Sequence, residues 1–425
     1  MPSAIDKYLA NYAEPQVETL PQSTIPWEAS VVVPFLNEQE FIDPCLKSLA
    51  AAALHSNSRI IIIIVVNARE DHPMAVRTAH ADWMDAFDTN LYSHLDFCLL
   101  NRSSEPHLFH RKQGVGLARK IGCDLALQLW RRGQVIQPVL RTTDADARVP
   151  LDYFVSPTTV HRLGGWSEGL PSAYTYPYRH RIDLSYPREG LALTLYEIHL
   201  RYYESGLRSA GSLYAFPSMG STLAIPTPAY AEVRGFPKRN AAEDFYLLNK
   251  LAHLGPVYQI DSAPIELEQR RSDRVPFGTG RSTMELADRQ NLIENFTLYD
   301  PTCFEGLSQC LGSLNQLSHH RDLSRFQSEL RSQGAWLGET LEKMGLYAAI
   351  THALKTRKEP SSLNRHLHDW FDALKTLQLI RSRPSIPWRT ALNDGRHPSE
   401  ILESLRKVAM NRPHCEPPSL ANYKR

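Results

Sequence analysis

The chain has 425 residues, of which 42% are hydrophobic and 22% are charged. These fractions are typical of globular proteins, and the length suffices for two domains. The formal charge is +1, from 47 basic and 46 acidic residues, so composition gives no electrostatic reason to expect a nucleic-acid partner. The longest apolar run, Ile60 to Val66, is too short to cross a bilayer, so we expect no transmembrane segment.

The first residues show no charged segment followed by an apolar one, which is how a secretory signal begins. Residues 1–28 mix polar and small residues with prolines, and we expect them to form a loosely held leader. The 6 cysteines form no Cys-x-x-Cys pair and show no zinc-ligand spacing. We therefore expect reduced thiols and a cytoplasmic location.

Two continuously apolar runs open the ordered part of the chain, at Ser30–Leu36 and Arg59–Val66. A continuous apolar run predicts a strand that is buried on both faces, as in a parallel sheet. An amphipathic helix is predicted between the two runs, either with Asp43 as its N-cap and Pro44 as its first residue, or with an earlier start and a kink at that point.

Further strands are predicted at His94–Leu100, Val139–Thr143, Gly220–Pro226 and Pro264–Glu268, and a helix is predicted to end near Trp130. Alternation of strands with helices favours a doubly wound α/β sheet. In such sheets ligands bind outside the carboxyl ends of the strands.

From about residue 290 the pattern changes to amphipathic helices, as the helical spacing of Leu323, Phe326 and Leu330 illustrates. We expect one domain over residues 29–290 and an α-helical C-terminal domain over residues 291–425.

Asp144 and Asp146 follow the predicted strand Val139–Thr143 with one alanine between them. On an extended backbone alternate side chains share a face, so the two carboxylates can converge on one point. A hard divalent cation such as Mg2+ or Mn2+ would relieve their repulsion. The alternative is a polar turn without a metal.

Five motifs, taken in order, resemble those of the family 2 glycosyltransferases of the GT-A fold. The matching segments are Val33–Glu38, Gly114–Arg119, Asp144–Asp146, Gly220–Thr222 and Glu243-Asp244. The resemblance covers roughly residues 29 to 280, and it implies a GT-A-type doubly wound mixed sheet that is mostly parallel. It does not extend to the helical remainder.

The resemblance makes Asp144 and Asp146 the metal-binding pair of a nucleoside-diphosphate-sugar site. Asp146 would coordinate the metal directly, whereas Asp144 would reach the ribose or hold the metal through water. The metal would neutralise the departing nucleoside diphosphate.

The nucleoside pocket would be lined by Pro34, Asn37 and Glu38, for which the alternative is an ordinary strand-to-helix turn. Asn67 stands where the family usually has an aspartate that contacts the base. An amide both donates and accepts hydrogen bonds, so Asn67 can still contact a base edge.

Positive charge for the phosphates would come from Lys112 or Arg119 at a helix N-terminus. The spacing Gly114-Val115-Gly116 also matches part of a dinucleotide-binding pattern, but no strand immediately precedes it. Arg271 and Arg274 belong to a segment, Arg270 to Gly280, that could fold over the diphosphate as a lid or form a solvated basic turn.

Glu243 and Asp244 open a predicted helix. In the resembling family an acidic residue at this place takes the proton from the acceptor hydroxyl. We expect Asp244 to be that base, with Glu243 as acceptor-binding neighbour or substitute. An acidic first turn that complements the helix dipole is the alternative.

The sequence thus predicts a metal-dependent, hexosyltransferase-type glycosyltransferase that moves a sugar from a nucleoside diphosphate to an unidentified acceptor hydroxyl, with inversion. The alternatives are a retaining transferase of the same fold, a protein that binds nucleotide sugars without turnover, and a nucleotidyltransferase.

Overall fold

The structure is a computed structural model, and it describes residues 3–15, 20–156, 158–183, 185–269, 279–332 and 335–410. The strands are β1 (Ala29–Phe35), β2 (Ile60–Asn67), β3 (Leu95–Arg102), β4 (Val139–Thr142), β5 (Ala147–Arg148), β6 (Val160–Gly165), β7 (Ala173–Thr175), β8 (Tyr178–His180), β9 (Leu223–Pro226), β10 (Pro256–Ile260), β11 (Ile265–Leu267), β12 (Thr297–Leu298) and β13 (Ile386–Pro387). The α-helices are α1 (Ala4–Asn11), α2 (Ile42–His55), α3 (Met74–Ala86), α4 (Val115–Arg131), α5 (Pro187–Ser209), α6 (Thr227–Glu232), α7 (Glu243–Ala252), α8 (Thr279–Ala287), α9 (Leu292–Asn295), α10 (Pro301–His320), α11 (Leu323–Ser332), α12 (Ala335–Lys343), α13 (Leu346–Thr356), α14 (Pro360–Trp370), α15 (Ala373–Ile380), α16 (Trp388–Leu392) and α17 (Pro398–Met410).

An 8-stranded sheet has the strand order β3-β2-β1-β4-β9-β7-β10-β6. Strand β1 pairs in parallel with β2 and β4, and β2 pairs in parallel with β3. Strand β9 is antiparallel to both β4 and β7. The predicted doubly wound mixed sheet is therefore confirmed, as is the helical C-terminal region.

The two long apolar runs form the centre of this sheet because both of their faces are covered by helices. Every residue of β1 and β2 is buried. Helix α4 packs closely on one face, since a Cβ atom at Gly122 would lie 2.3 Å from Cγ1 of Val32. The continuous apolar pattern of a parallel sheet thus has its expected cause.

A smaller sheet has the order β5-β11-β8. Its strand β5 begins at Ala147, directly after Asp146, so the turn that carries Asp144 and Asp146 joins the two sheets. Backbone bonds hold this turn at both sides: the Thr143 N–H donates to the Val32 carbonyl (3.1 Å) and the Glu268 N–H to the Asp146 carbonyl (3.2 Å).

The chain divides into two compact units. One comprises residues 1–193, 218–285 and 410–425, and the other comprises residues 194–217 and 286–409. The sequence places a boundary at 290, close to the observed change at 286. It does not reveal that residues 194–217, which include the end of α5, belong with the helical unit.

The expectation of a loosely held leader over residues 1–28 is wrong for α1. Ile5 and Tyr8 are buried, and the Tyr8 hydroxyl donates to Asp124 Oδ1 at 2.5 Å. Ser3 and Asp6 form a capping box that begins the helix. Within the part of the chain that the structure describes, no helix combines the length and apolarity needed to cross a membrane.

Candidate active site

Arg119, in the second turn of α4, is the centre of a cluster of acidic side chains. One of its η-nitrogens contacts a carboxylate oxygen of Asp144, and the other contacts one of Glu243. The side chains of Arg119 and Glu243 are each 4% exposed, whereas that of Asp144 is 33% exposed. One guanidinium therefore joins the end of β4 to the start of α7.

Asp244 lies beside this ion pair and remains partly exposed. Its carboxylate accepts a hydrogen bond from the backbone N–H of Phe245 at 2.7 Å, and the nearby Gly220 backbone helps to lower its pKa. Of the two acidic residues that begin α7, Asp244 is thus the more exposed.

The cluster carries more negative than positive charge. Burial would lower the pKa of Arg119, but the carboxylates of Asp144, Glu243 and Asp244 outweigh burial and raise it. Burial, opposed by Arg119, raises the pKa of both Glu243 and Asp244 above that of an ordinary carboxyl group. A site with three carboxylates around one arginine favours either a further cation or a bound proton.

The Gly114-Val115-Gly116 spacing serves close packing between α4 and the loop before α7. A Cβ atom at Gly116 would lie 2.3 Å from the Pro237 carbonyl oxygen, and the Gly116 N–H donates to the Arg239 carbonyl at 3.1 Å. The N–H at this helix start is therefore occupied by protein. The dinucleotide interpretation has no support, and the packing brings Glu243 towards Arg119.

Gly220 lies directly against the Arg119 side chain, because a Cβ atom there would be 2.4 Å from Cζ of Arg119. The Gly220 carbonyl accepts a hydrogen bond from the Thr142 hydroxyl. The sequence motif Gly220-Ser221-Thr222 thus contains a residue whose lack of a side chain makes room for the guanidinium.

Asp144 and Asp146 are both partly exposed, with the buried Ala145 between them. Both carboxylates, together with that of Glu38, lie close enough to the Cys45 thiol to add to burial in raising its pKa. The described residues contain no group of three or more His, Cys, Asp or Glu side chains that could hold a metal. Two carboxylates fit a Mg2+ or Mn2+ ion that takes its other ligands from water and substrate phosphates.

Asn37 lies two residues after the end of β1 in a left-handed conformation, with φ of 53°. Its N–H donates to Nε2 of His80 on α3 at 3.1 Å, and its side chain is exposed. Burial lowers the pKa of His80 to about 4, with a smaller contribution from His72, so the neutral ring is available as acceptor. No signal in the sequence marks His80, because only the fold brings α3 beside the end of β1.

The other predicted nucleoside contacts are buried. Pro34 pairs with Val65 inside the sheet, and Glu38 lies at the start of the segment that leads into α2. The Asn67 amide, oriented so that its nitrogen donates, reaches the carbonyl oxygens of Phe35 at 3.2 Å and Val65 at 3.3 Å. Asn67 thus ties together the ends of β1 and β2, and base contact by its remaining oxygen stays a prediction.

Among the predicted phosphate ligands, Lys112 is exposed in the loop before α4, where its N–H donates to Nδ1 of His110 at 3.3 Å. Arg271 and Arg274, with most of the predicted lid, lie outside the described residues.

No protein-family model and no curated protein sequence matches the chain. Among solved structures, TarS 1-349 of S. aureus is 12% identical, with a TM-score of 0.33, over 81% of this chain and 90% of that one. The mannosyltransferase PcManGT from Pyrobaculum calidifontis, in complex with GDP-Man and Mn2+, is 17% identical, with a TM-score of 0.34. The match covers 88% of this chain and 94% of that one. GalNAc-T7 with UDP, GalNAc and Mn2+ is 12% identical, with a TM-score of 0.31, over 76% and 57%.

TM-scores this low describe loose superpositions. The strand order, the antiparallel β9 and the small second sheet define the architecture as a GT-A-type α/β fold.

Proposed function

We propose that the chain is a metal-dependent glycosyltransferase, which transfers a sugar from a nucleoside-diphosphate sugar to an acceptor hydroxyl with inversion. The observation that carries this proposal is the pair of contacts made by Arg119. They bring the Asp144–Asp146 turn and the Glu243-Asp244 pair, which are distant in sequence, into one partly exposed site. Both lie at the carboxyl-end side of β4, where doubly wound sheets bind their ligands.

Asp146 and Asp144 are the side chains that would hold the metal. Because Arg119 already contacts Asp144, we assign direct coordination to Asp146 and contact with ribose or metal-bound water to Asp144. The metal, when bound, would stabilise charge on the departing diphosphate. Mg2+ and Mn2+ suit the oxygen ligands that the turn offers.

Asp244 would act as the base. It would take the proton of the acceptor hydroxyl while that oxygen bonds to the anomeric carbon and the nucleoside diphosphate leaves. Burial raises the pKa of Asp244, which makes its carboxylate a better proton acceptor than an ordinary aspartate. Glu243, buried in its ion pair with Arg119, would orient the site without contacting the acceptor hydroxyl.

The donor would extend from this cluster towards the end of β1, where Asn37, Glu38 and Pro34 would line the nucleoside pocket. Lys112, Arg271 and Arg274 would add positive charge near the phosphates. The free thiols of the described cysteines support a reducing compartment such as the cytoplasm.

The test is calorimetric titration of UDP and GDP, each with and without Mn2+, into the wild-type protein and the Asp146→Ala variant. We expect one nucleotide to bind the wild type in the presence of Mn2+, with an affinity at least tenfold weaker in the variant, because a direct ligand is lost. The Asp82→Ala variant, which changes an exposed residue of α3, is the control and should bind like the wild type. Equal affinity in Asp146→Ala and the wild type would contradict the metal assignment.

A further inference from the structure

Arg119, Gly220 and Thr142 form a connected set of contacts behind the acidic side chains. We propose that Arg119 is a positioning residue. Its side chain packs against Gly220 and fixes the start of α7 relative to the Asp144–Asp146 turn. This inference rests on the proposed function and changes the role of Arg119, for which the sequence suggested a contact with donor phosphates.

The guanidinium is occupied by protein carboxylates. Its two η-nitrogens contact Asp144 and Glu243, and its Nε finds no partner among the described residues. Arg119 is almost wholly buried, so a phosphate could reach it only by displacing Asp144. A planar fork can hold two carboxylates at a fixed separation, which the point charge of a lysine cannot do.

Gly220 lies between Thr142 of β4 and the side chain of Arg119. Its carbonyl accepts a hydrogen bond from the Thr142 hydroxyl of β4, and its Cα lies against the Arg119 guanidinium. Gly220 has no positive φ, so the requirement for glycine here is space and not backbone conformation. A methyl group on Gly220 would have to push the guanidinium away from at least one of its carboxylates.

Such a displacement would move the base relative to the metal-binding turn. Misplacement of reacting groups by about 1 Å can lower a rate by about 10²-fold. Because neither Arg119 nor Gly220 is proposed to touch the nucleotide, the loss should appear in kcat, and nucleotide affinity should change little.

The experiment compares Gly220→Ala with Gly312→Ala, whose added methyl group would meet no atom within 4 Å. A donor is first identified by screening nucleoside-diphosphate sugars with Mn2+. Steady-state kcat and KM, Mn2+-dependent nucleotide affinity and the melting temperature are then measured for both variants. We expect kcat of Gly220→Ala to fall by about 10–100-fold with nucleotide affinity within about threefold of wild type. Gly312→Ala should match the wild type in kcat, KM and nucleotide affinity, and its melting temperature should be equal or slightly higher, because alanine in the middle of α10 is favoured over glycine.

Arg119→Lys is the second variant, and it covers the case in which Gly220→Ala does not fold. It keeps one positive charge but loses the second contact, so the same fall in kcat with preserved nucleotide affinity is expected. Native kcat in either folded variant would overturn the inference. A loss of nucleotide affinity equal to the loss in kcat would also overturn it, and would make Arg119 a donor ligand. Absence of nucleotide binding by the wild type would instead overturn the proposed function.

Discussion

His80 shows how a residue without any sequence signal can matter to the site. It is fully buried, and its ring accepts the N–H of Asn37, which keeps a left-handed backbone conformation. Asparagine adopts that conformation more readily than most residues, so Asn37 and His80 together fix the path of the chain after β1.

Replacement of His80 by phenylalanine should weaken nucleotide binding. Phenylalanine fills similar space but removes the acceptor of the Asn37 N–H, and this partly buried hydrogen bond is worth about 0.5–1.5 kcal/mol. We expect the dissociation constant for the Mn2+–nucleotide complex to rise about tenfold, measured by calorimetry. Unchanged affinity in a folded His80→Phe protein would show that the end of β1 does not bind the nucleoside.

For other residues of the site, the sequence predicts which residues belong to it but not which contacts they make. The sequence shows the motif that contains Gly114 and Gly116, and in the fold these two glycines leave space for the loop that precedes α7. Arg119 was assigned to phosphates because a sequence cannot show which carboxylates approach a cation. These contacts join residues that are far apart along the chain, and only the fold brings them together.

Among the elements, those with a continuous apolar pattern were predicted well. Strands β1, β2 and β4 lie where the apolar runs are, and α7 begins at the predicted Glu243. Helix α2 begins at Ile42, which agrees with the alternative of a start before Asp43-Pro44.

The sequence pattern does not predict helix α5, although this helix spans 23 residues. Glu197 and Arg201 are buried in it as an ion pair with a 2.7 Å contact, and Arg406 also contacts Glu197 at 2.7 Å. Paired charges can be buried, but in a sequence they look like an exposed surface and interrupt the apolar periodicity.

The sequence pattern does not predict helix α1 for a related reason, because polar groups hold this helix in place. Tyr8 and Tyr230 both donate to Asp124, whose other carboxylate oxygen lies 3.1 Å from Lys120 Nζ. Gly235 permits this arrangement, because a Cβ atom there would lie 2.4 Å from the Tyr8 hydroxyl oxygen. A cluster of this kind cannot be inferred from hydrophobic spacing.

The Asp124→Asn substitution should destabilise the protein by about 3–5 kcal/mol, because Lys120 would remain buried without its countercharge. Urea unfolding measures this change. Glu285→Gln is the matched control: its ion pair with Arg281 is exposed on both sides, so the free energy of unfolding should hardly change. Equal stability of the Asp124→Asn variant and the wild type would mean that the buried cluster does not hold α1.

At the scale of the whole molecule, charge is almost balanced, with a formal net charge of +1. The active-site cluster is nevertheless acidic, with Asp144, Glu243 and Asp244 around Arg119, and with Asp146 in the adjoining turn. Overall charge therefore gives no electrostatic reason to expect a polyanionic partner, and it does not reveal the local acidity of this cluster.

The helical unit is the part about which the sequence says least. Its core forms at the predicted helical spacing, with Leu323, Phe326 and Leu330 packed together with Leu363 and Leu367. That pattern is sufficient to predict helices, because it needs only burial on one face. It carries no residue type that indicates a ligand.

The most direct test of the central claim is the rate of sugar transfer by the Asp244→Asn and Glu243→Gln variants, with the donor found in the nucleotide-sugar screen. Asparagine keeps the shape of Asp244 but cannot take the acceptor proton, so we expect kcat to fall by about 10²–10⁴-fold while Mn2+-dependent nucleotide binding survives. Glu243→Gln should lower kcat by a smaller factor than Asp244→Asn, because glutamine still offers an oxygen to Arg119. Transfer at the wild-type rate by Asp244→Asn would contradict the assignment of the base, and with it the account of this site as the place of sugar transfer.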